Sequence, residues 1–248
     1  MLALTTLLVR IEVANSVRRS WLGPLWGTVG LAAATAVLGM FCLAALRPNL
    51  PAPAEYVPAL AVGLVVWSFL AGVASQSCAM VIRWVPLLRH SKLPLLTLPL
   101  AVVARHAVML VVNLGLLLVL LSVFLDPPPR LGEALAGVVV LILNAAWLAA
   151  LLAVLSVRFR DIGQLVSAVF HIAFFLSPIV WTEHYLGRYS YLFEFNPLFY
   201  AIAIVRRPML GGGSGAFVWL VMAGGLAVGA LAAAAGYRYA RRRLPYWL

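Results

Sequence analysis

Six long stretches of this chain contain no Asp, Glu, Lys or Arg, and each is between 19 and 26 residues long. A hydrocarbon core about 30 Å thick needs roughly 20 apolar residues of helix to cross it. Helices are favoured there because each satisfies its own backbone hydrogen bonds. The pattern predicts a single-domain, all-α membrane protein over residues 1–248. Its six transmembrane helices are expected at about 25–46, 57–82, 100–125, 134–157, 162–182 and 216–237.

Two regions outside these spans are also mostly apolar. Residues 1–22 are compatible with an amphipathic helix on the cytoplasmic membrane surface or with a cytoplasmic tail. Leu192–Val205 is an apolar run of 14 residues, which is too short to span and is typical of a re-entrant or interfacial element. Asn196 and Pro197 predict a break there between two short helices, within a non-spanning region over about 183–207.

The distribution of charge predicts the orientation of the chain. Hydrophobic residues make up 65% of it, mean hydropathy is +1.04 and the formal net charge is +11. With the N-terminus in the cytoplasm, thirteen Lys and Arg residues fall on the inner side and five on the outer side. This excess is the positive-inside pattern and places both termini in the cytoplasm. Because the net charge lies beside the anionic inner leaflet, nucleic acid is not an expected partner.

Sequence signals for catalysis or metal binding are weak. There is no Gly-x-x-x-x-Gly-Lys-Ser/Thr phosphate loop, and the histidines lack metal-ligand spacing. Gly212–Gly215 fits the Gly-x-Ser-Gly pattern of intramembrane serine proteases, but no histidine follows it to act as the base. We therefore predict no catalytic and no metal site. Cys42 and Cys78 are expected to be small packing residues.

Polar and aromatic residues within the apolar regions suggest two roles. Helix–helix hydrogen bonding is the favoured role for the polar residues, and lining a transport pathway is the alternative; these are Gln76, Asn113, Asn144 and His171. An interfacial belt explains most aromatic residues near the span ends. Aromatic faces also stack on sugar rings, so five of these residues are candidates for a channel or gate: Trp26, Trp181, Tyr185, Phe199 and Tyr200.

Four stretches resemble the permease subunits of ABC type-2 exporters, specifically those for O-antigen and capsule-like polysaccharides. Arg18–Trp26 resembles the entry into the first span, and Val157–Ile162 resembles the turn between spans four and five. Val85–Pro94 resembles the cytoplasmic coupling segment, although Pro86 stands where the family usually has Asn-Leu-Ile. The outer gate region of the family is resembled by Ser177–Trp181, Asn196–Leu198 and Ile204–Gly211.

The resemblance implies a homodimer in the bacterial inner membrane, with a channel between the two chains for a polyprenyl-pyrophosphate-linked polysaccharide. Two copies of a separate ABC nucleotide-binding subunit would bind ATP and Mg, so this chain would need no cofactor. Each ATPase would dock on the coupling segment, about 83–98, through Pro86, Leu87, Leu88, Arg89, His90 and Lys92. The N-terminal interface helix would meet lipid phosphates through Arg10, Arg18 and Arg19, and two gate helices would occupy about 183–207.

Three alternatives stay open on the sequence. An ABC type-2 permease for drugs or small lipids would have a compact hydrophobic cavity. A six-span intramembrane enzyme would need an essential histidine or acid that acts without an ATPase partner. An assembly or anchoring protein would have no pathway at all.

Overall fold

The charge-free stretches fold as helices in the computed structural model, which describes residues 25–45, 53–90, 95–122, 128–180, 195–241 and 243. No strand occurs among these residues, so the all-α prediction is confirmed for them. Seven helices are described there: α1 (Leu25–Ala45), α2 (Pro53–His90), α3 (Thr97–Leu121), α4 (Leu131–Arg158), α5 (Ile162–Leu176), α6 (Pro197–Met209) and α7 (Ala216–Arg241).

Five helices of the described chain, namely α1, α2, α3, α4 and α7, are long and apolar enough to span a bilayer. The six-span count is not confirmed, because α5 ends at Leu176 after 15 residues instead of continuing to residue 182. The second helix also differs from the prediction, since α2 continues past Arg83 to His90. The first half of the predicted coupling segment is therefore a direct extension of the membrane-spanning helix.

The hydrophobic core is built around α2 and α4. Side chains along α2 such as Leu60, Val66 and Val73 are fully buried and pack with residues of α4 and α6. Cys42 and Cys78 are both buried free thiols, as expected of packing residues. In contrast, α5 has no fully buried residue. The chain therefore has a tightly packed centre with α5 at its edge.

The short helix α6 is a buried element at the end of the bundle where α2, α4 and α7 begin. It spans 13 residues, of which ten are buried, and it packs against α2, α4 and α7. Asn196 is its N-cap, accepting a hydrogen bond at Oδ1 from the Leu198 amide at 3.0 Å, and Pro197 follows at the first helical position. Helix α6 therefore starts at Asn196-Pro197 and is covered by protein, as a non-spanning helix requires. The predicted helix before this point lies outside the described residues.

Asparagine side chains join neighbouring helices, as the sequence predicted for two of its intramembrane polar residues. Thr28 Oγ1 of α1 donates to Asn113 Oδ1 of α3 at 2.7 Å. Asn144 Nδ2 of α4 donates to the Met222 carbonyl of α7 at 3.2 Å, and its Oδ1 accepts from Trp147 Nε1 at 3.1 Å. The last bond holds the indole of Trp147 against α7, where Gly229 leaves room for it.

Replacing Gly229 with alanine is expected to destabilise the fold. The added Cβ would lie 2.1 Å from the Trp147 ring, which can move only by giving up its bond to Asn144. Overpacking of this kind costs about 1–3 kcal/mol. We expect Gly229→Ala to lower the midpoint of thermal unfolding in lipid nanodiscs. Gly224→Ala is the matched control in α7, because its Cβ would meet nothing within 4 Å; equal effects of the two variants would contradict the close contact.

Candidate functional site

An aromatic groove runs between α2 and α5. It has a volume of about 430 Å³ and is lined by Trp67, Ala71 and Ser75 of α2 and by Ser167, Phe170, His171, Phe174 and Phe175 of α5. The Trp67 ring lies 5.5 Å from the ring of Phe170 and 5.6 Å from that of Phe174, in tilted and edge-to-face arrangements. These geometries are favourable for aromatic pairs. The groove therefore has a preformed aromatic wall, and these lining residues include no Asp, Glu, Lys or Arg.

The polar groups of the aromatic groove direct their hydrogens back to their own helices. Ser75 Oγ donates to the Ala71 carbonyl at 2.8 Å, and Ser167 Oγ donates to the Gly163 carbonyl at 3.0 Å. His171 Nδ1 lies 2.7 Å from the Ser167 carbonyl, so this nitrogen carries the proton in that bond. The hydroxyl oxygens and the Nε2 of a neutral His171 are left as acceptors. The groove thus combines an aromatic wall with hydrogen-bond acceptors.

The exposed surface of α5 is divided into two faces. One is aliphatic, with side chains spaced four, three and four residues apart: Leu165, Val169, Ile172 and Leu176. The other carries Gln164, Ser167 and His171, spaced three and four apart, beside the aromatic groove. Polar groups are costly against lipid and usually face a protein interior or water. The aliphatic face suits lipid, whereas the polar face suits a pathway or a partner surface.

The two predicted gate aromatics on α6 belong to the core. Phe199 and Tyr200 are only 6% and 5% exposed, and their rings meet edge to face at 5.1 Å. The guanidinium of Arg207 lies 5.7 Å from the centre of the Phe199 ring. Neither aromatic residue lines the aromatic groove. Trp26, in the first turn of α1, is 58% exposed and does not line the groove either, and Trp181 and Tyr185 lie outside the described residues.

Ser214, the serine of the Gly-x-Ser-Gly pattern, is held in the fold by hydrogen bonds. Its side chain is fully buried, and its hydroxyl donates to the Ile204 carbonyl of α6 at 3.3 Å. Its backbone amide donates to Glu133 Oε1 at 2.7 Å, and the carboxylate also pairs with Arg130 at 3.9 Å. These bonds fasten the loop after α6 to the start of α4. A buried hydroxyl committed to a backbone carbonyl is not placed as a nucleophile.

Comparison with family models matches residues 3–210 to the ABC-2 type transporter family. The match covers most of the 248 residues. The chain belongs to the ABC-2 type transporter family. Comparison with curated proteins gave no match.

Membership of the ABC-2 type transporter family gives this chain its general role. It is a multi-pass membrane protein and the transmembrane domain of an ABC transporter, a kind of subunit that has no ATPase site of its own. The family typically works with a nucleotide-binding subunit. The predicted permease is therefore confirmed at the level of the family.

Most of the residues predicted to contact the ATPase lie at the C-terminal end of α2. Pro86, Leu87, Leu88, Arg89 and His90 form the last turns of α2, and Lys92 lies outside the described residues, as do Arg10, Arg18 and Arg19. Just before these turns, Trp84 packs on a hydrophobic cluster with residues of α3, α4 and α7: Leu98, Val102, Val154 and Ala240. This cluster anchors the base of the helical extension.

Sequence reasoning missed the aromatic half of the groove. Phe170 and Phe174 lie four residues apart on α5, a spacing that places them on one helical face, and Ser167 and His171 share the same spacing. That periodicity is present in the sequence, but the interfacial enrichment of aromatic residues points to the ends of the spans instead. The partner Trp67 lies about one hundred positions earlier in the chain and only folding brings it to this face.

Proposed function

We propose that this ABC-2 permease exports a polyprenyl-pyrophosphate-linked polysaccharide, such as an O-antigen, across the bacterial inner membrane. The observation that carries the proposal is the aromatic groove with its acceptor groups. Aromatic faces stack on sugar rings, and the hydroxyls of a sugar donate hydrogen bonds to Ser75 Oγ, Ser167 Oγ and His171 Nε2. Such contacts tolerate different sugars and are individually weak, which suits a polymer that has to keep moving.

The working unit in this proposal is a homodimer. The polar face of α5 is open on a single chain, where Gln164 and His171 are exposed and Ser167 between them is half-buried. Two chains that turn these faces toward each other enclose a polar, aromatic-lined path and leave the aliphatic faces of α5 to lipid. The proposal keeps six crossings for each chain, with α5 belonging to the fifth, and both termini in the cytoplasm.

ATP is bound and hydrolysed by two separate nucleotide-binding subunits that dock on the ends of the two α2 helices. Because α2 is continuous, movement of residues 86–90 is transmitted to Trp67 in the aromatic groove. Arg18, Arg19 and Arg89 attract the pyrophosphate of the cargo at the cytoplasmic side. The cycle of the ATPases then shifts the glycan outward along the path between the two chains.

The test is the location of glycan in a bacterial strain depleted of the permease and complemented with variants. Trp67→Ala combined with Phe174→Ala removes most of the aromatic wall and should lower surface glycan about tenfold, equivalent to ~1.4 kcal/mol. Polyprenyl-linked precursor should accumulate inside the cells. Val169→Ala with Ile172→Ala on the aliphatic face of α5 is the matched control and should leave export near normal.

One outcome would reject this function, and another would reject only the groove as its path. Unchanged surface glycan and precursor after depletion would exclude glycan export and favour the drug or small-lipid exporter. If depletion blocks export but the groove variant and the control behave alike, glycan export holds and the groove is not its path.

A further inference from the structure

Helix α5 ends before it can cross a bilayer. Its 15 residues span about 22 Å, against a hydrocarbon core of about 30 Å. Pro178 disfavours helical conformation at the preceding residue, and Ser177 is accordingly extended, with φ −98° and ψ 146°. A helix of this length that starts at one membrane face ends inside the hydrocarbon core, so the carbonyl groups that follow it need donors from elsewhere in the fold. A carbonyl left without a donor in hydrocarbon destabilises the fold.

Three side chains supply donors to alternate carbonyls of this segment. Asn196 Nδ2 donates to the Leu176 carbonyl at 3.2 Å, and Tyr56 Oη donates to the Val180 carbonyl at 2.9 Å. Between them, the buried Arg206 donates through Nη1 to the Pro178 carbonyl. The donors come from the start of α2, from the N-cap of α6 and from α6 itself. The carbonyls of residues 176 and 178 are thus held from α6 and its N-cap, and that of residue 180 is held from α2.

We propose that Tyr56, Asn196 and Arg206 form a carbonyl clamp that allows α5 to end inside the membrane and sets the position of its outer end. The same segment packs on α2, where a Cβ at Gly63 would lie 3.5 Å from the Ile179 side chain. Gly63 is one helical turn from Trp67, and Leu176 is two residues after Phe174. The clamp therefore fixes Phe174 against Trp67, and its members are positioning residues for the aromatic groove.

The clamp also joins α5 to α6. Two of its three donors lie on or directly before α6, so a displacement of α6 pulls on the outer end of α5. The clamp itself stands on the hydrogen bonds of one chain, whereas its consequence for export rests on the proposed function. The two claims can therefore fail separately.

Distances between pairs of spin labels in empty lipid nanodiscs test the clamp without any cargo. Labels are attached in a Cys42→Ala, Cys78→Ala background at exposed positions of α5 and α7. The outer pair is Leu176→Cys with Leu220→Cys, and the inner pair is Leu165→Cys with Leu231→Cys. Tyr56→Phe removes one donor and keeps the shape of the ring, and Arg206→Ala removes the central donor.

We expect both variants to shift and broaden the outer distance and to leave the inner one unchanged, with the larger shift for Arg206→Ala. Ser68→Ala is the control, since it removes a hydroxyl of α2 that donates to the Val65 carbonyl of its own helix. Unchanged outer distances would overturn the clamp, and so would equal broadening of both pairs, because the residues would then hold the whole fold. A shifted outer pair with normal glycan export would support the clamp and count against the groove as the glycan path.

Discussion

Gly137→Ala is expected to destabilise the permease more than Gly229→Ala does, to the point of unfolding or inactivating it. A Cβ at residue 137 of α4 would lie 2.4 Å from the Ile204 carbonyl oxygen of α6 and 3.1 Å from its carbon. Both atoms belong to the backbone, so no rotamer change can relieve the contact. The two helices have to separate, and α6 is enclosed by α2, α4 and α7. The cost should reach at least the upper part of the ~1–3 kcal/mol range of overpacked cores.

The Gly137→Ala effect can be separated from general sensitivity of α4. Gly132→Ala lies in the same helix at an exposed position with nothing within 4 Å of the new Cβ, and it should be nearly neutral. Adding Ile204→Ala to Gly137→Ala should not restore the unfolding midpoint, because the clash is with the carbonyl. By contrast, Trp147→Ala should partly rescue Gly229→Ala, where the clash is with a side chain. Rescue by Ile204→Ala would contradict the backbone contact.

Charge-free stretches located the helices well because the cost of burying charge in hydrocarbon acts on every residue of a span. They did not locate the ends of the helices. α2 runs on to His90 and α7 to Arg241, since a helix continues in water wherever its backbone geometry allows, and charged residues such as Arg83 and Arg238 do not stop it. Hydropathy shows which residues of a segment are apolar. It gives no information on where the backbone hydrogen bonds of the helix end.

Helix α5 is shorter than the charge-free stretch that predicted it, whereas α2 and α7 are longer than theirs. Apolarity continues to residue 182, but Pro178 restricts Ser177 to an extended conformation and the helix stops at Leu176. The signal was present in the sequence as a proline inside an apolar run. Its consequence, a clamp by Tyr56, Asn196 and Arg206, was not predictable, because it depends on the packing of three elements that are distant along the chain.

Two aromatic residues that the sequence predicts for a gate are buried on α6. Aromatic residues of the correct chemistry were expected in the gate region, yet Phe199 and Tyr200 turn into the core. Core aromatics and groove aromatics have the same composition, and only the face of the helix distinguishes them. On α5 that face is marked by Ser167 and His171 beside Phe170 and Phe174, because polar groups rarely face lipid without a function.

Ala79→Pro is expected to uncouple ATP hydrolysis from export. α2 is 38 residues long, about 57 Å, and carries both Trp67 of the aromatic groove and the predicted coupling residues 86–90. No proline interrupts it between Trp67 and Trp84. Proline at the exposed position 79 would remove a backbone hydrogen bond and kink the helix between these two sites. Movement at the ATPase would then be absorbed at the kink instead of reaching the groove.

The measurement is glycan moved per ATP hydrolysed by the permease with its nucleotide-binding subunits in proteoliposomes. We expect Ala79→Pro to keep ATPase activity and to lower this ratio at least about tenfold, a change equivalent to ~1.4 kcal/mol. Ala232→Pro is the matched control, since it places the same kink at an exposed alanine of α7, a helix that carries no predicted coupling residue. Equal ratios for the two variants would show that α2 does not transmit movement from the ATPase to the groove. Loss of ATPase activity in step with export for Ala79→Pro would show the same. A ratio reduced only by Ala79→Pro would assign the transmission of force to this helix.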